Sequence, residues 1–541
     1  MKFNLGSVCV IVCSVVGNIQ SAVFRDGLYR LDLIHYNDFH DRFEETSVPY
    51  PVCKSNDSSC MGGFARLYSG VQMLLEEKPD ALVLNAGDAF QGTYWYTLLK
   101  WNIIQKFINM LPNDAHAIGN HEFDDGIAGL APYLAALQAP VVVANIDTSK
   151  EPTLNGLYKP HVVLERKGRK IGVIGVTTPE TATSSNSQGV IFSDPVEAVK
   201  READILHKQG VDIIIVLSHC GLNVDKKMAK DVGENVDIIV GGHSHSLLWN
   251  GESPSNESIS GPYPVMVEAK ERPGHKVLVV TASAFTKYLG NITVYFSKDG
   301  ELQSYEGTPV FLNRSIPEDP KIKEAMQPYK DELYSLVNEV VGFAHDDLIS
   351  EPCGSKECAI GDIIADAYLT TVQERNVSDI PHVTFILRNM IRGSIAGGEI
   401  NRGAVINVLP FTNKVVTVQI EGRHLLEALH RCMTSYWREK PFNGPWMPQV
   451  AGMQVTLNTT DRIVVSAMVK EGDEFKPIDP KRKYQVVTLL FLTRGGNGFT
   501  MFRDNHHNLT HIGEDAKIVE DYIKKVTPLT PKIDKRLVIV N

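Results

Sequence analysis

Residues 236–246 read VDIIVGGHSHS, an apolar run that ends in two glycines and then carries two histidines one residue apart. The apolar run has the composition of a buried β-strand, and the glycines allow a tight turn directly after it. His243 and His245 are therefore either metal ligands or members of an ordinary polar loop. A single His-x-His pair does not decide between these readings, so the decision depends on partners elsewhere in the chain.

The first half of the chain repeats this pattern of an apolar run followed by a polar loop. Runs rich in β-branched residues alternate with helical stretches; they read YRLDLIHY, ALVLNAG, HAIG, PVVVAN, KIGVIGV, DIIIVLS and DIIVGG. Nearly continuous apolar strands at this spacing predict an α/β layer fold, with sheets buried on both faces by helices. NITVYF, residues 291–296, predicts a further strand near the end of this domain.

Five of these predicted strands are followed by potential metal ligands. The loops NDFHDR, AGDAFQGT, GNHEFDDG, SHCGL and GGHSHS carry Asp38, His40, Asp88, Asn120, His121, Asp124, His219, His243 and His245. Because the carboxyl ends of strands in α/β sheets gather along one edge, we expect the five loops to converge on one crevice. Any one loop alone would be read as a solvated turn, but five together favour a metal centre.

The ligand types predict which metal chemistry such a centre supports. Imidazole, carboxylate and amide ligands suit Zn²⁺ or Mn²⁺ and differ from a structural thiolate zinc site. Seven ligands, with one aspartate bridging, suit a pair of ions about 3.5–4 Å apart. Such a pair lowers the pKa of a bound water and stabilises both oxygens of an in-line phosphoryl displacement.

The length of the chain predicts the number of its domains, and its two ends predict that it is secreted. The 541 residues suit two domains of about 200–300 residues each. Residues 1–22, MKFNLGSVCVIVCSVVGNIQSA, have the lysine, short apolar run and small residues of a signal peptide. KIDKRLVIVN at the other end lacks the long apolar tail of a lipid-anchor signal, so we expect a secreted protein without a membrane anchor. The same route is favoured by seven glycosylation sequons, at Asn56, Asn256, Asn291, Asn313, Asn376, Asn458 and Asn508.

Net charge and cysteines limit the partners and the covalent structure. A formal net charge of -10 argues against a nucleic-acid polymer as a partner, although a small anionic substrate remains compatible with it. Eight cysteines are present, two of them in the predicted signal peptide. Local disulfides are predicted for Cys53–Cys60 and Cys353–Cys358 in an oxidising compartment. The sequence leaves the pairing of Cys220 and Cys432 open.

Residues 317–342 predict a linker helix between a first domain, residues 23–316, and a second domain, residues 343–541. Apolar residues recur at steps of three and four from Ile322 to Val340, and Gly342 is the expected stop. Pro328 predicts either a kink in this helix or its true start. The second domain is predicted to mix helices and strands, with KVVTVQI, GMQVTLN and KYQVVTLLFL as strands.

The order of the five motifs resembles that of the calcineurin-like metallophosphoesterases, and more narrowly that of the 5'-nucleotidase/apyrase family. The motifs are NDFHDR, GDAFQGT, GNHEFDDG, SHCG and GGHSHS. CMGGFARL, ECAIGDIIADAY and LPFTN fit the same family, so the resemblance covers nearly the whole mature chain. It implies a four-layer α/β metallophosphoesterase sandwich, then a linker helix and an α+β nucleotide-binding domain.

The resemblance also implies a role for each motif residue. Two divalent metal ions would be bound, Zn²⁺ first and Mn²⁺, Mg²⁺ or Ca²⁺ as alternatives. One ion would be held by Asp38, His40, Asp88 and His245, and the other by Asp88, Asn120, His219 and His243. His121 would stabilise the transferring phosphoryl group or protonate the leaving oxygen, and Asp124 would orient His121.

The second domain of the family supplies nucleotide recognition. By resemblance, Phe411 and Phe499 would clamp the base between two rings, and Asp504 would accept hydrogen bonds from the ribose hydroxyls. Asn389 and Arg392 would contact the phosphate. These assignments rest on the motifs LPFTN and GGNGF and on the stretch ILRNMIRGSI.

The phosphate-facing loop departs from the family pattern. Where the family reads N-G-G-G-I-R, residues 386–395 read ILRNMIRGSI, one residue shorter and without those glycines. Arg392 matches the family arginine, whereas the family asparagine falls on either Arg388 or Asn389. A second family arginine is replaced in CGSKEC, which has Gly354, with Lys356 nearby. Because arginine and lysine differ in bidentate phosphate recognition, the preference between AMP and ADP or ATP stays open.

The sequence therefore predicts a secreted two-metal phosphohydrolase of extracellular nucleotides, acting as a 5'-nucleotidase on AMP or as an apyrase on ATP and ADP. Resemblance to soluble family members, which include salivary enzymes of blood-feeding arthropods, adds the hypothesis of an antiplatelet role. The altered loop motivates an alternative, a non-catalytic member that binds nucleotides or a haemostatic protein. A third reading is a phosphoesterase for UDP-sugars or cyclic nucleotides. The expected partners are small nucleotides, bound by a monomer or a homodimer.

Overall fold

A computed structural model describes residues 24–25, 27–53, 57–375, 377–433 and 447–540. The predicted signal peptide and the sequons at Asn56 and Asn376 lie outside these residues. Within the described ranges, no helix combines the length and apolarity that crossing a membrane requires.

Two sheets organise the first domain. One has eight strands; its main path runs Leu302–Glu306, Tyr288–Phe296, Leu28–Tyr36, Leu82–Asn85, Ala115–Ala117 and Val141–Val142, with Phe24–Arg25 and Val310–Phe311 pairing off it. The other runs Val265–Glu268, Lys276–Val280, Ile238–Gly241, Ile213–His219, Arg169–Thr177 and His161–Arg166. Central neighbours are parallel in both sheets, and antiparallel pairs lie toward the edges.

The two sheets pack face to face around one apolar core. Leu31, Leu33 and Leu84 from one sheet share this core with Val173 and Ile215 from the other. The sheets approach so closely that a Cβ at position 175 would lie 1.9 Å from the carbonyl oxygen of Val142, which only glycine permits. Strands buried on both faces explain why the sequence runs are apolar without alternation.

Helices cover the outer faces and complete four layers. The helices of the first domain are Phe64–Glu77, Tyr94–Ile108, Gly126–Ala136, Thr181–Ser184, Pro195–Lys208 and Leu222–Val232. Their buried faces join the sheets in two apolar clusters, one of them on the outer side of the eight-stranded sheet. The α/β four-layer sandwich predicted from the sequence is confirmed.

The second domain combines two antiparallel-rich sheets with helices. The five-stranded sheet runs Pro448–Ala451, His382–Leu387, Lys483–Leu489, Lys414–Glu421 and His507–Glu514, and the four-stranded sheet runs Glu474–Pro477, Ile463–Glu471, Met453–Asn458 and Leu537–Val540. The helices are Ala359–Glu374, Arg402–Val408, Gly422–Cys432, Leu490–Thr493, Thr500–Asn505 and Asp515–Val526. This is the predicted α+β domain, except that KYQVVTLLFL leaves the strand at Leu489 and turns helical.

The helix between the domains is shorter than the sequence predicts. It spans Pro320–Val337, and the side chain of Asp319 caps it by accepting from the backbone N–H of Ile322 at 2.9 Å. Pro328 lies inside this helix and does not mark its start. The helix ends five residues before Gly342, which the sequence suggested as the stop.

Gly342 belongs to a strand, and its role is close packing. The strand Val340–Ala344 pairs antiparallel with Gly398–Asn401, a partner far along the chain. A Cβ at position 342 would meet the Cγ2 of Ile523 at 2.5 Å. Val340 follows the apolar spacing of the helix in sequence, but it pairs in a strand in the structure. Strand pairing suits a β-branched residue.

Both predicted disulfides, Cys53–Cys60 and Cys353–Cys358, are confirmed. Cys220 and Cys432 are buried and are not bonded to another sulfur.

Candidate active site

The five motif loops meet where the carboxyl edges of the two first-domain sheets come together. The eight-stranded sheet supplies Asp38 and His40 after Leu28–Tyr36, Asp88 after Leu82–Asn85, and Asn120 and His121 after Ala115–Ala117. The six-stranded sheet supplies His219 as the last residue of Ile213–His219, and His243 and His245 after Ile238–Gly241. Parallel strands in both sheets thus bring distant residues to one place, as the sequence predicts.

The backbone of these loops is held in an unusual conformation. Among the predicted metal ligands, five non-glycine residues have positive φ angles of 48° to 73°: Asp38, His40, Asp88, His243 and His245. A left-handed conformation costs a non-glycine residue about 1–2 kcal/mol. Strain of this kind gathers at functional sites, where the surrounding fold keeps it in place. Here the backbone N–H groups of Asp38 and His40 donate to the carbonyls of Gly87 and Asp88 at 2.9 and 3.0 Å.

Backbone carbonyls orient two of the imidazoles. The Nδ1 of His40 donates to the carbonyl of Gln91 at 2.6 Å, and the Nδ1 of His219 donates to the carbonyl of Ala86 at 2.8 Å. Because a carbonyl only accepts, each ring carries its first proton on Nδ1 and presents Nε2 to the centre of the site. This is the arrangement that fixes the tautomer of a metal-ligating histidine.

The Nε2 atoms face other groups that bind metals. The Nε2 of His40 lies 3.1 Å from that of His245, which lies 3.2 Å from Oδ1 of Asp38. The Nε2 of His219 lies 2.9 Å from Oδ2 of Asp88. Three groups of side chains at this centre each have ligand atoms within 4.8 Å of one another: Asp38, His40 and His245; His40, Asp88 and His121; and Asp88, His219 and His243. A shared cation, either a proton or a metal ion, is needed between such closely spaced acceptors.

The amide of Asn120 supports the same conclusion. Its Oδ1 is buried and has no hydrogen-bond partner among the described residues. A buried oxygen without a partner costs about 1–3 kcal/mol, whereas ligation of a cation would satisfy it. The residues present therefore fit divalent metal ions.

Electrostatics favour ionised carboxylates but divide the imidazoles between neutral and protonated forms. Burial raises the pKa of Asp38, but His245 and His219 outweigh burial and hold it at about 2. Burial lowers the pKa of His243 to about 4. Burial also lowers the pKa of His219, but Asp88 outweighs this and raises it to about 10, so a proton occupies that pair when no metal ion does. A metal ion bound at Nε2 of His219 would displace this proton.

His121 and Asp124 form a pair beside these groups. The Nδ1 of His121 lies 2.6 Å from Oδ2 of Asp124, and the backbone N–H of His121 donates to Oδ1 of Asp88 at 2.9 Å. Burial lowers the pKa of His121, but the carboxylates of Asp124 and Asp88 outweigh it and raise the pKa above its usual value. The imidazolium form, which can donate a proton, is therefore favoured.

Glu122 is a supporting residue that the sequence reasoning missed. Its buried carboxylate accepts from the backbone N–H groups of Asp88, Ala89, Phe90 and Gly119 at 2.6 to 3.2 Å. It thereby fixes the Asp88 loop against the Asn120 loop. The signal was present, because Glu122 lies inside GNHEFDDG, but its role depends on a three-dimensional contact.

Phe285 is a second missed residue, and the sequence carries no signal for it. Its ring centroid lies 5.4 Å from that of His40 and 4.9 Å from that of His245. The guanidinium of Arg42 lies 4.5 Å from the same ring. Phe285 thus packs both imidazoles into position from outside the five motifs.

A cavity of about 950 Å³ opens over this centre and continues into the second domain. Nine of the predicted site residues line it: Asp88, Asn120, His121, Asp124, His243, His245, Asn389, Arg392 and Phe411. Basic side chains from the second domain also line it, namely Arg388, Lys414 and Arg494. The volume and the positive wall suit a small phosphorylated ligand.

Phe411 lies at the junction between the domains. Its ring stacks on that of His121 with centroids 5.6 Å apart, and the Arg392 guanidinium lies 5.4 Å from the Phe411 ring. The Oδ1 of Asn389 is buried without a partner among the described residues. Both Arg388 and Asn389 line the cavity, so both candidates for the family asparagine reach it.

The structure does not bring Phe499 and Asp504 to this cavity. Phe499 is 0 % exposed and packs against Phe385 and Phe502 in the core of the second domain. The side chain of Asp504 pairs with the adjacent Arg503 on the surface. Phe491, which belongs to none of the sequence motifs, lines the cavity instead, with its ring over Gly496.

Gly119→Ala is expected to lower hydrolytic activity and metal content at least about tenfold, the range seen when groups that orient ligands are lost. A Cβ at this position would lie 2.1 Å from Oδ1 of Asp88 and 2.7 Å from Nε2 of His219, so both would be displaced. Bound metal after dialysis and phosphate release would be measured together. Gly513→Ala is the control, because its Cβ would meet Ile518 only at ordinary contact distance. Equal losses in the two variants would contradict the expectation.

The fold and the site together define a metal-dependent phosphoesterase of the calcineurin-like class. The sequence profile of the calcineurin-like phosphoesterases matches residues 31–247, and that of the 5'-nucleotidase C-terminal domain matches residues 340–504. The first of these domains implies divalent metal ions, and the combination implies hydrolysis of phosphate esters.

The chain belongs to the 5'-nucleotidase family, because individual relatives match it over nearly its whole length. It is 41% identical to an apyrase of Tabanus yao, over 95% of this chain and 94% of that protein. It is 35% identical to the 5'-nucleotidase of Homo sapiens, over 94% of this chain and 91% of that protein. The structure of a 5'-nucleotidase precursor from Thermus thermophilus matches with a TM-score of 0.86 and 32% identity, over 95% of this chain and 100% of that one.

Proposed function

We propose that this protein is a secreted two-metal phosphohydrolase of extracellular nucleotides. The observation that carries the proposal is the convergence of five loops on one centre, where backbone carbonyls turn the Nε2 atoms of His40 and His219 toward buried carboxylates. Relatives named apyrase and 5'-nucleotidase support nucleotides as the substrate class.

The proposed ligands divide into two sets that share Asp88. One set is Asp38, His40, Asp88 and His245, and the other is Asp88, Asn120, His219 and His243. Divalent ions held there, with Zn²⁺ as the first candidate, would supply Lewis-acid activation of the phosphoryl group and of the attacking water. His121 donates a proton to the leaving oxygen from Nε2, while Asp124 holds its Nδ1 and stabilises the imidazolium.

The second domain is proposed to bind the rest of the nucleotide. Arg392 and Asn389 line the same cavity as several of the proposed metal ligands, so they can contact phosphate and hydroxyl groups of a bound substrate. Phe411 and Phe491 offer partly exposed aromatic rings in that cavity for a base. The cavity is also lined by Arg388, Lys414 and Arg494, which carry more positive charge than one phosphate group needs. This charge favours ADP and ATP as substrates in addition to AMP.

Phe411→Ala and Phe491→Ala are each expected to raise KM for nucleotides about 5- to 150-fold, because base stacking is worth about 1–3 kcal/mol. Phe499→Ala should act differently: a cavity in the core costs about 3–5 kcal/mol of folding stability. Steady-state kinetics and thermal unfolding of the three variants would separate these effects. Phe475→Ala, at an exposed phenylalanine, is the control. If Phe499→Ala raised KM without lowering Tm, the assignment of Phe499 as a base-stacking ring, which the family resemblance implies, would be supported again.

Secretion is proposed from the leader-like residues 1–22, the two disulfides and the sequons. The described sequon asparagines, Asn256, Asn291, Asn313, Asn458 and Asn508, are all exposed or half-buried, so none is enclosed in the core. An antiplatelet role through removal of ADP remains a hypothesis that depends on the substrate.

Phosphate release from AMP, ADP, ATP and UDP-glucose, with and without a chelator, tests the proposed function. Chelator-sensitive release from a nucleotide is expected, and release from ADP but not AMP would select an apyrase. If none of the four compounds released phosphate in a chelator-sensitive way, the proposed enzymatic activity would be contradicted. The alternative, a non-catalytic binding protein, would then be favoured. Asp88→Ala serves as the inactive reference.

A further inference from the structure

Three carboxylates gather in the second domain, away from the cavity described above. Glu357 lies within the Cys353–Cys358 loop, Asp362 lies in the first turn of the helix Ala359–Glu374, and Asp534 precedes the strand Leu537–Val540. One oxygen from each of the three side chains lies within 4.8 Å of the other two. Three separate segments of the chain therefore meet at this carboxylate cluster.

Glu357 already attaches the last strand to the rest of the domain. Its Oε1 accepts from the backbone N–H groups of Asp534 and Lys535 at 2.8 and 3.1 Å, and its Oε2 accepts from that of Leu537 at 3.0 Å. These bonds orient the carboxylate, and Oε2 keeps a lone pair that can accept further. Glu357 thus presents a fixed, buried acceptor to Asp362 and Asp534.

Asp362 has no hydrogen-bond partner for either carboxylate oxygen among the described residues, although it is only 4% exposed. A buried carboxylate without a donor is costly, and burial beside a second carboxylate is more so. Burial, together with Glu357 and Asp534, raises the pKa of Asp362 to about 9 against the opposing charge of Arg536. The cluster as it stands therefore needs a cation.

Arg536 supplies only part of the positive charge. Its guanidinium binds Asp366 through two bonds of 2.7 and 2.9 Å and reaches Asp534 at 2.7 Å, but it stays 4.0 Å from Asp362. With a metal ion bound, Glu357, Asp362, Asp366 and Asp534 would all be ionised, and this one guanidinium would leave three of their negative charges for the ion to balance. An all-oxygen set of this charge suits a hard divalent cation such as Ca²⁺.

We propose that Glu357, Asp362 and Asp534 bind a Ca²⁺ ion that fastens the strand Leu537–Val540 to the second domain. The side chain of Asp534 is 54% exposed, so the ion can enter from solvent and keep water ligands on that side. The site is independent of the proposed hydrolytic centre. Its effect is local, because the bridged groups connect the disulfide loop and helix to the end of the chain.

Hydrogen exchange of the peptide covering residues 534–540 tests this site in the full-length protein, with Zn²⁺ present throughout. Adding about 5 mM Ca²⁺, above the affinity range of extracellular sites, is expected to slow exchange about 5- to 50-fold. The effect should disappear in Asp362→Asn and weaken in Asp534→Asn, an exposed position where folding is not at risk. It should persist in Asp379→Asn, a surface charge change in the same domain, and in Asp88→Asn, which disables the other centre.

Two results would overturn the proposal. One is an unchanged exchange rate of this peptide when Ca²⁺ is added to the wild type. The other is equal Ca²⁺ protection in Asp362→Asn and in the wild type, since the ion would then bind elsewhere.

Discussion

Asp88→Asn is expected to lower phosphate release from nucleotides about 10³-fold or more while leaving the protein folded. Asp88 is the residue that belongs to both proposed ligand sets, and its carboxylate contacts His219 at 2.9 Å and the backbone N–H of His121 at 2.9 Å. The amide keeps the shape but removes the charge that holds the cations, whose Lewis-acid effect is worth several kcal/mol. Release of phosphate and metal content would be measured on the same preparation.

The matched control is Asp80→Asn, which removes a carboxylate from the surface of the same domain, where its side chain is 57% exposed. This variant should keep full activity, because exposed ion pairs contribute little. If Asp88→Asn retained both its metal content and its activity, the assignment of Asp88 as the shared ligand would be wrong.

His121→Gln is expected to lower kcat about 10²- to 10⁴-fold, the usual contribution of a positioned proton donor, with metal content unchanged. Asp124→Asn should have a smaller effect on the same parameter, because His121 keeps its ring but loses the carboxylate that orients and charges it. Both losses should shrink with p-nitrophenyl phosphate, whose leaving group needs no proton. Kinetics with a nucleotide and with this substrate would measure the difference.

A matched pair elsewhere in the domain provides the control for this prediction. His161 and Glu202 form the same contact, Nδ1 to carboxylate at 2.7 Å, but are not among the residues that line the cavity. His161→Gln should therefore leave kcat unchanged. Equal losses with both substrates in His121→Gln would assign His121 to phosphoryl binding and contradict its role as the acid.

The catalytic half of the site could be predicted because its residues follow strands directly. Once the runs before Asp38, Asp88, Asn120, His219 and His243 are read as parallel strands, topology places them at the carboxyl edges of their sheets, and the packing of the two sheets brings these edges together. The same logic could not find Phe285, because it packs on His40 and His245 from a loop with no motif. Nor could it assign Glu122, whose role consists of bonds to four backbone N–H groups.

The second domain was harder to predict for a physical reason. A phenylalanine after GGNG reads equally well as a stacking ring or as a core ring, and only tertiary packing decides. Here Phe499 is enclosed by Phe385 and Phe502, while Phe491 lines the cavity. The prediction of where the linker helix ends was wrong for a similar reason, because the strand that pairs with Val340–Ala344 lies far along the chain.

Seven residues from five loops are proposed to hold two metal ions that share Asp88. Anomalous diffraction at the Zn²⁺ edge, from crystals of active protein, measures this directly. Two peaks about 3.5–4 Å apart are expected on either side of Asp88, and His243→Ala should lose only the peak beside His219 and Asn120. A fully active protein with one peak, or with none at Asp88, would contradict this proposal.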